Sequence, residues 1–357
     1  MHFEMTEDRR MLSDTLTRFL ADNYGWEHRA AVAYTEPFHD PGKWAALCEL
    51  GVLYALAPEE RGGFGGAGFD VTTVFQALGH GLCPEPVLPV LMAARLLGAA
   101  DADLEPLLSG TCHYAVAIGE TEAPYEIAEI ATEARDGESG WRLNGRKSVV
   151  YGGQIAERFL VAARNGERLS VFEVAAGDAA VTGYGLIDGG GAAELFLEET
   201  PADLLIEDGA AALQDALDAG ALALCAEAVG ALDASFETTL DYLKTRKQFG
   251  RTIGSFQALQ HRMVDLKTEI EQARSITILA ASRMGEADQS RTVSMAKNLI
   301  GRTARLAAEE VIQLHGGIAM TWEYPMSHYA KRLVMIDHQL GDTDFHLERV
   351  MAATTAA

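Results

Sequence analysis

The sequence predicts an α+β chain of three successive parts. A helical part covers residues 1–112, a compact β part covers 113–206, and a second helical part covers 207–357. Two observations predict it. Apolar spacing runs at three and four, gives way to short continuous apolar runs, and then returns. At 357 residues the chain also exceeds what one hydrophobic core supports, so two or three packed domains are expected.

From residue 7 to 23, Met11, Leu12, Leu16, Phe19 and Leu20 form one apolar stripe of an amphipathic helix. Trp44, Leu47, Leu50 and Leu53 mark a second helix that stops before Pro58. The glycine-rich stretch 62–68 contains Gly63, Gly65 and Gly68 in GxGxxG spacing. It follows a helix rather than a strand, which argues against a dinucleotide cradle and for a flexible surface loop. Val71, Val74, Phe75 and Leu78 then define another helix.

The β part consists of short runs rich in Val, Ile, Phe and Leu at 113–118, 130–134, 141–150, 158–163, 169–174 and 193–197. Turn clusters such as 136–140 and 189–191 separate them. Strands without intervening helices predict an antiparallel sandwich or barrel. In the last part Ile253, Phe256, Leu259, Met263, Leu266, Ile270 and Ala273 trace a long helix. A further helix from about Thr292 carries Met295, Leu299, Ala304, Ala307 and Val311 and should end at Gly316-Gly317. Such long helices suggest bundle packing between subunits.

With 52 acidic and 29 basic residues the net charge is −23, which excludes a general nucleic-acid binder. Cys48, Cys83, Cys112 and Cys225 lack CxxC spacing, so neither a zinc site, nor any other metal site, nor a disulfide framework is expected. Residues Met1-His2-Phe3-Glu4 lead directly to Glu7 and Asp8, unlike a signal peptide. The best apolar run, 220–232, is short for a membrane span and holds Glu227. A soluble, cytoplasmic protein with no membrane partner is expected.

Two segments could carry chemistry. Arg246-Lys247-Gln248-Phe249-Gly250 closes one helix and leads through Arg251-Thr252-Ile253-Gly254 into the next. Cations beside an aromatic ring and glycines suit an anion-and-ring site, and equally suit a cationic helix cap. Gln313-Leu314-His315-Gly316-Gly317 sets an amide and an imidazole at a helix end, again open to a capping reading.

Taken together, residues 246–260 and 310–317 resemble the C-terminal signatures of the acyl-CoA dehydrogenase family. Trp44, Leu50-Gly51, Pro58-Glu59, Gly62-Gly63 and Asn144-Gly145-Arg146-Lys147 extend the resemblance over nearly the whole chain. It looks most like the small subunit of pimeloyl-CoA dehydrogenase and the short subunits of heteromeric steroid-CoA dehydrogenases. The resemblance implies an N-terminal helical domain, a middle antiparallel β-sandwich or barrel and a C-terminal four-helix bundle. It also implies an acyl-CoA substrate, FAD, and α,β-desaturation, in which a carboxylate takes the α proton and hydride leaves the β carbon for FAD.

The family's tetramers build each FAD site from two subunits. The half lent to a neighbour maps here to Arg246 at the pyrophosphate with Gln248 and Phe249 beside it. Ile253, Phe256 and Leu259 map along the adenosine or flavin, and Gln313, Gly316 and Gly317 to the adenosine end. The half that holds the isoalloxazine departs from the family. A Thr-Glu-Pro-Gly-x-Gly-Ser-Asp segment becomes residues 119–126, Gly-Glu-Thr-Glu-Ala-Pro-Tyr-Glu, and the flavin-stacking Trp-Ile-Thr/Ser becomes Val149-Val150-Tyr151. Losing such contacts would cost roughly 1 kcal/mol each.

The usual catalytic Glu falls at Leu340, and its alternative position at Gly220, with the adjacent substrate-loop arginine at Ala221. The Thr and Gln that donate to the pyrophosphate fall at Asp342 and Asp344, which accept only and would repel a diphosphate. Asp342 is the candidate substitute base, ahead of Asp337 and Glu227, while an N-cap is the alternative role for Asp342 and Asp344. Three readings follow from the resemblance. The chain is an accessory subunit completing a fuller partner's FAD site in a heterotetramer, a self-sufficient homotetramer using Asp342, or a flavin-free structural subunit. Dicarboxyl-CoA, steroid-CoA and fatty acyl-CoA all remain open as substrates.

Overall fold

The computed structural model describes residues 5–138 and 140–355, so Met1–Glu4 and Ser139 of the 136–140 turn lie outside the described residues. Helices α1 (Glu7–Asn23), α2 (Trp26–Val32), α3 (Pro41–Glu49), α4 (Gly68–His80), α5 (Val87–Ala99) and α6 (Glu105–Leu108) precede the sheet. α1 covers the segment marked by its stripe and buries Leu16 and Leu20. The Thr6 side chain accepts from the Arg9 amide as N-cap, and Glu7 and Asp8 occupy the first turn, where the helix dipole favours acids. α3 starts under an Asp40 cap with Pro41 at its first position, and stops short of the stripe; Leu53 lies in a separate 3-10 turn.

The glycine-rich stretch corrects one expectation. Phe64, Gly65 and Gly66 donate their amides to the carbonyls of Tyr54, Ala57 and Ala55 at 2.8–3.0 Å, and a side chain on Gly63 would overlap the Ala57 carbonyl. It is a packed turn rather than a flexible loop, and no strand precedes it.

Strands β1 (Tyr114–Ala117), β2 (Glu133–Gly137), β3 (Gly140–Tyr151), β4 (Arg158–Asn165), β5 (Arg168–Ala175), β6 (Ala180–Gly185) and β7 (Gly191–Ile206) form one sheet. The order β4-β2-β3-β7-β5 closes back on β4, making a barrel around Leu143, Phe159, Val161, Phe172, Leu195 and Leu197. β1 adds to β4 and β6 to β7. The ladders are antiparallel except β1–β4 and β2–β4, which run parallel, so the purely antiparallel expectation is corrected at these two pairings.

The chain continues as α7 (Ala210–Thr245), the two-residue strands β8 (Lys247–Gln248) and β9 (Arg251–Thr252), α8 (Gln257–Ser282), α9 (Gln289–His315), α10 (Met326–His338) and α11 (Thr343–Thr355). α8 begins after Ile253, which lies in a 3-10 turn, and α9 ends where Gly316 takes φ +69°. α7 is long and apolar enough to cross a membrane, more than the 220–232 run alone indicated, and 89% of its apolar window is buried within the chain. The four cysteines are free thiols.

By packing, the chain forms two compact units that regroup the three sequence zones. One joins α1, α4 and the chain from Ala221 onward; the other comprises Glu27–Ala67 and Pro84–Gly220. In the first, α4 and α7 touch backbone to backbone. A methyl on Gly79 would overlap the Glu227 carbonyl, and one on Gly230 the Gln76 carbonyl. Gly79→Ala gains about 1 kcal/mol of helix propensity but must spread two helices at a cost of roughly 1–3 kcal/mol or more. A lowered thermal midpoint is expected, and an unchanged or raised one in a melting curve would refute this account.

Candidate functional site

In the first unit the ends of α7, α8 and α9 converge on Leu243, Met263 and Leu314, with Ile253 and Leu259 packed against them. The Tyr242 ring stacks on His315 at 4.5 Å, and its hydroxyl donates to the His315 carbonyl at 3.3 Å, tying α7 to the end of α9. His315 Nδ1 lies 2.8 Å from the Val311 carbonyl, and burial lowers its pKa, so this imidazole belongs to the packing.

The β8–β9 hairpin projects from this base. Lys247 pairs with Thr252 and Gln248 with Arg251, which leaves Phe249 and Gly250 as a two-residue turn at φ +54° and +79°. Positive φ at both positions is the type I′ geometry that matches strand twist, and for Phe249 it costs about 1–2 kcal/mol. The Phe249 ring is 90% exposed and edge-to-face with Phe256, centroids 6.3 Å apart, and Arg251 lies over the Phe256 face at 3.9 Å from its centroid. Arg246, Gln248 and Gln313 are exposed, and their side chains make no hydrogen bond among the described residues. Gly316 and Gly317 are exposed beside Gln313, with open space where side chains would stand. The structure thus gathers Arg246, Gln248, Phe249 and Phe256 on one hairpin base and turns Ile253 and Leu259 partly into the chain's own core.

The candidate acids of this unit already have structural partners. Asp342 accepts the Phe345 amide at 2.9 Å as N-cap of α11, while Asp344 is exposed in its first turn. Asp337 accepts from the Thr343 hydroxyl at 2.8 Å. Glu227 receives both arms of the Arg332 fork at 2.6 and 2.7 Å, a neutralised pair unsuited to proton abstraction. Leu340 sits at φ +56°, and Gly220 and Ala221 are buried within α7.

In the second unit, segment 119–126 is anchored by a buried pair. Lys147, fully buried, donates to Glu120 at 2.7 Å and to the Ile118 carbonyl at 3.0 Å. Glu120 also accepts the Ala131 and Thr132 amides and the Thr132 hydroxyl. Burial pulls the lysine down to about 8 against the Glu120 charge. Burial pushes Glu120 up, yet Lys147 and Thr132 hold it below the usual carboxylate range. A bulge in β3 after Lys147 puts Val149 at φ +51°, partly exposed. Glu194 lies alongside and accepts from Ser148, Arg146, Tyr184 and the Val149 amide. These bonds lower its pKa despite the upward push of burial. No cluster of His, Cys, Asp and Glu among the described residues could hold a metal ion.

Residues 6–100 match the acyl-CoA dehydrogenase N-terminal domain and residues 207–354 the C-terminal domain. The acyl-CoA dehydrogenase IpdE2 of Mycobacterium tuberculosis is 34% identical, with 91% of each chain covered. The chain belongs to the acyl-CoA dehydrogenase family. IpdE2 of Mycolicibacterium smegmatis is 29% identical over 98% of this chain and 99% of its own. Among solved structures, the ChsE4–ChsE5 complex of M. tuberculosis superposes with a TM-score of 0.91 at 26% identity, covering both chains fully. A Tcur3481–Tcur3483 steroid acyl-CoA dehydrogenase variant gives 0.91 at 28%, over 99% of this chain and all of that one.

The groups around Glu194 and Lys297 escape sequence reading. Arg146 and Glu194 meet only through the β3–β7 register, and Lys297 reads as one more polar residue on α9. Glu120–Lys147 left one trace, the lysine ending Asn144-Gly145-Arg146-Lys147.

Proposed function

We propose that this chain is the accessory subunit of a heteromeric, FAD-dependent acyl-CoA dehydrogenase, lending one half of a flavin site to a fuller partner of the same family. The observation that carries this reading is the hairpin end. The ring of Phe249, on a strained backbone, is held 90% exposed beside Arg246, Gln248 and Gln313, whose side chains make no hydrogen bond among the described residues. Donors of this kind fit a diphosphate and an adenosine. Arg246 would bind the pyrophosphate through its fork, Gln248 would add a donor, Phe249 would cover the ring system, and Gln313 would meet the adenosine end beside Gly316 and Gly317.

The residues mapped to the chain's own isoalloxazine half fit poorly. Val149 offers no ring to stack on, and Glu120 of segment 119–126 is engaged by Lys147, Ala131 and Thr132. Asp342 caps a helix where a base would be needed, so proton abstraction is assigned to the partner's carboxylate. When bound, FAD supplies the acceptor for hydride from the β carbon of the acyl thioester. The similar structure named as a steroid acyl-CoA dehydrogenase supports a bulky acyl-CoA substrate, and the ChsE4–ChsE5 complex supports a heteromer.

The test is flavin content. Purified alone, the chain is expected to carry no stoichiometric flavin. Co-expressed with a partner subunit, it should yield one acyl-CoA-reducible FAD per heterodimer. One FAD per chain, reduced by acyl-CoA in the isolated protein, would establish self-sufficiency instead; no flavin in either preparation would leave a structural subunit.

A further inference from the structure

Residues 339–342 join α10 to α11, and side chains from one face of α9 hold this loop. Lys297, fully buried, donates to the carbonyls of Ile336, Asp337 and Gly341 at 2.8, 3.0 and 2.7 Å. Asn298 donates to the Thr343 carbonyl at 2.9 Å. From α11, His346 is only 2% exposed, with Nε2 3.1 Å from the Leu340 carbonyl and Nδ1 3.2 Å from the Ser294 hydroxyl.

These partners define protonation states. Three carbonyls around Lys297 call for three N–H donors, hence an ammonium. The Leu340 carbonyl requires a proton on His346 Nε2, which in the neutral ring leaves Nδ1 to accept from Ser294; the tautomer is assigned from these partners. A second proton would turn Nδ1 from acceptor to donor and set another cation near a fixed one in a dry site.

We propose that His346 is an acid-released clasp: a second proton sets an imidazolium near the Lys297 ammonium in a dry site, which expels the ring and frees the α10–α11 loop around Leu340 and Gly341. The charges facing it come from every neighbouring element. Lys297 of α9 and Arg349 of α11 oppose protonation, and Asp342 of the loop favours it. Around Lys297 stand Asp337 and Arg332 of α10, Asp342, and Cys225 of α7, whose thiol burial pushes up to about 12. Burial first, then the Lys297 charge, pulls His346 down to about 3. An imidazole released into water titrates near 6.5, so the open loop binds a proton that the closed loop refuses. Closure is therefore fully favoured above about pH 6.5 and weakens as the pH falls toward 3. This inference does not depend on the flavin reading.

Hydrogen exchange on the full chain tests it. Between pH 6.5 and 5.5 the protection factors of loop amides 339–346 should fall about fivefold, while strand amides of the barrel keep theirs. His346→Gln retains an Nε2 donor but cannot titrate, and its loop protection should be flat. Flat wild-type protection, or the same slope in the variant, overturns the clasp. If the variant fails to fold, a titration of the labelled wild-type imidazole decides. No midpoint above pH 4.5 is expected, and a midpoint near 6.5 overturns the proposal.

Discussion

Arg246→Ala, introduced into the proposed heteromer, is expected to strip flavin from the complex while leaving this chain folded. The guanidinium is exposed and makes no hydrogen bond among the described residues, so its removal disturbs no internal contact. Its backbone is held independently, the amide donating to Tyr242 and the carbonyl accepting from Ile253. A charge-assisted contact to a diphosphate is worth about 1.5–3 kcal/mol, which weakens flavin binding roughly ten- to a hundredfold. Arg246→Lys keeps the charge and loses the bidentate fork, so it should fall between. Flavin titration of the apo-complex measures the dissociation constant. Wild-type affinity in the alanine variant would remove Arg246 from the flavin site.

The readable parts of the sequence were those in which chemistry acts locally. The stripe in α1 and the glycine after α9 set their element boundaries through neighbours three and four residues away, and both appear where the pattern places them. β6 escaped because Gly183 and Gly185 dilute its apolar content; it exists through its pairing with β7. β7 runs on past the 193–197 apolar run, since Thr200 and Pro201 pair with Leu143 and Arg142 of β3 and Asp203, Leu204 and Ile206 pair with β5. The same division governs the site. The Arg246–Gly250 stretch is local, and its place between two helices was legible. The Asp342 cap, the Glu227–Arg332 pair and the Lys297 contacts join distant segments, and no local pattern announces them.

Segment 119–126 shows how structure and flavin chemistry come apart, and Glu120 tests that separation. Glu120→Ala should destabilise the barrel unit by about 3–5 kcal/mol, the cost of leaving one partner of a buried pair uncompensated. The Ala131 and Thr132 amides would lose their acceptor as well. Glu120→Gln keeps an acceptor oxygen without the charge and should be milder near neutral pH. The pH dependence then distinguishes electrostatics from packing. Glu120 holds the Lys147 proton on against burial, which already lowers that lysine to about 8. Removing the carboxylate lowers it further, whereas the unfolded chain keeps its lysine protonated up to about 10.4. Between these values the unfolded state binds more protons, so the glutamine variant should regain stability as the pH rises. Wild type should begin that rise only near pH 8, and should lose stability below the ordinary range of glutamate, because folding lowers Glu120. Denaturant melts of both proteins from about pH 2 to 10 check this. A constant difference across that range would mean that shape, not charge, holds the segment in place.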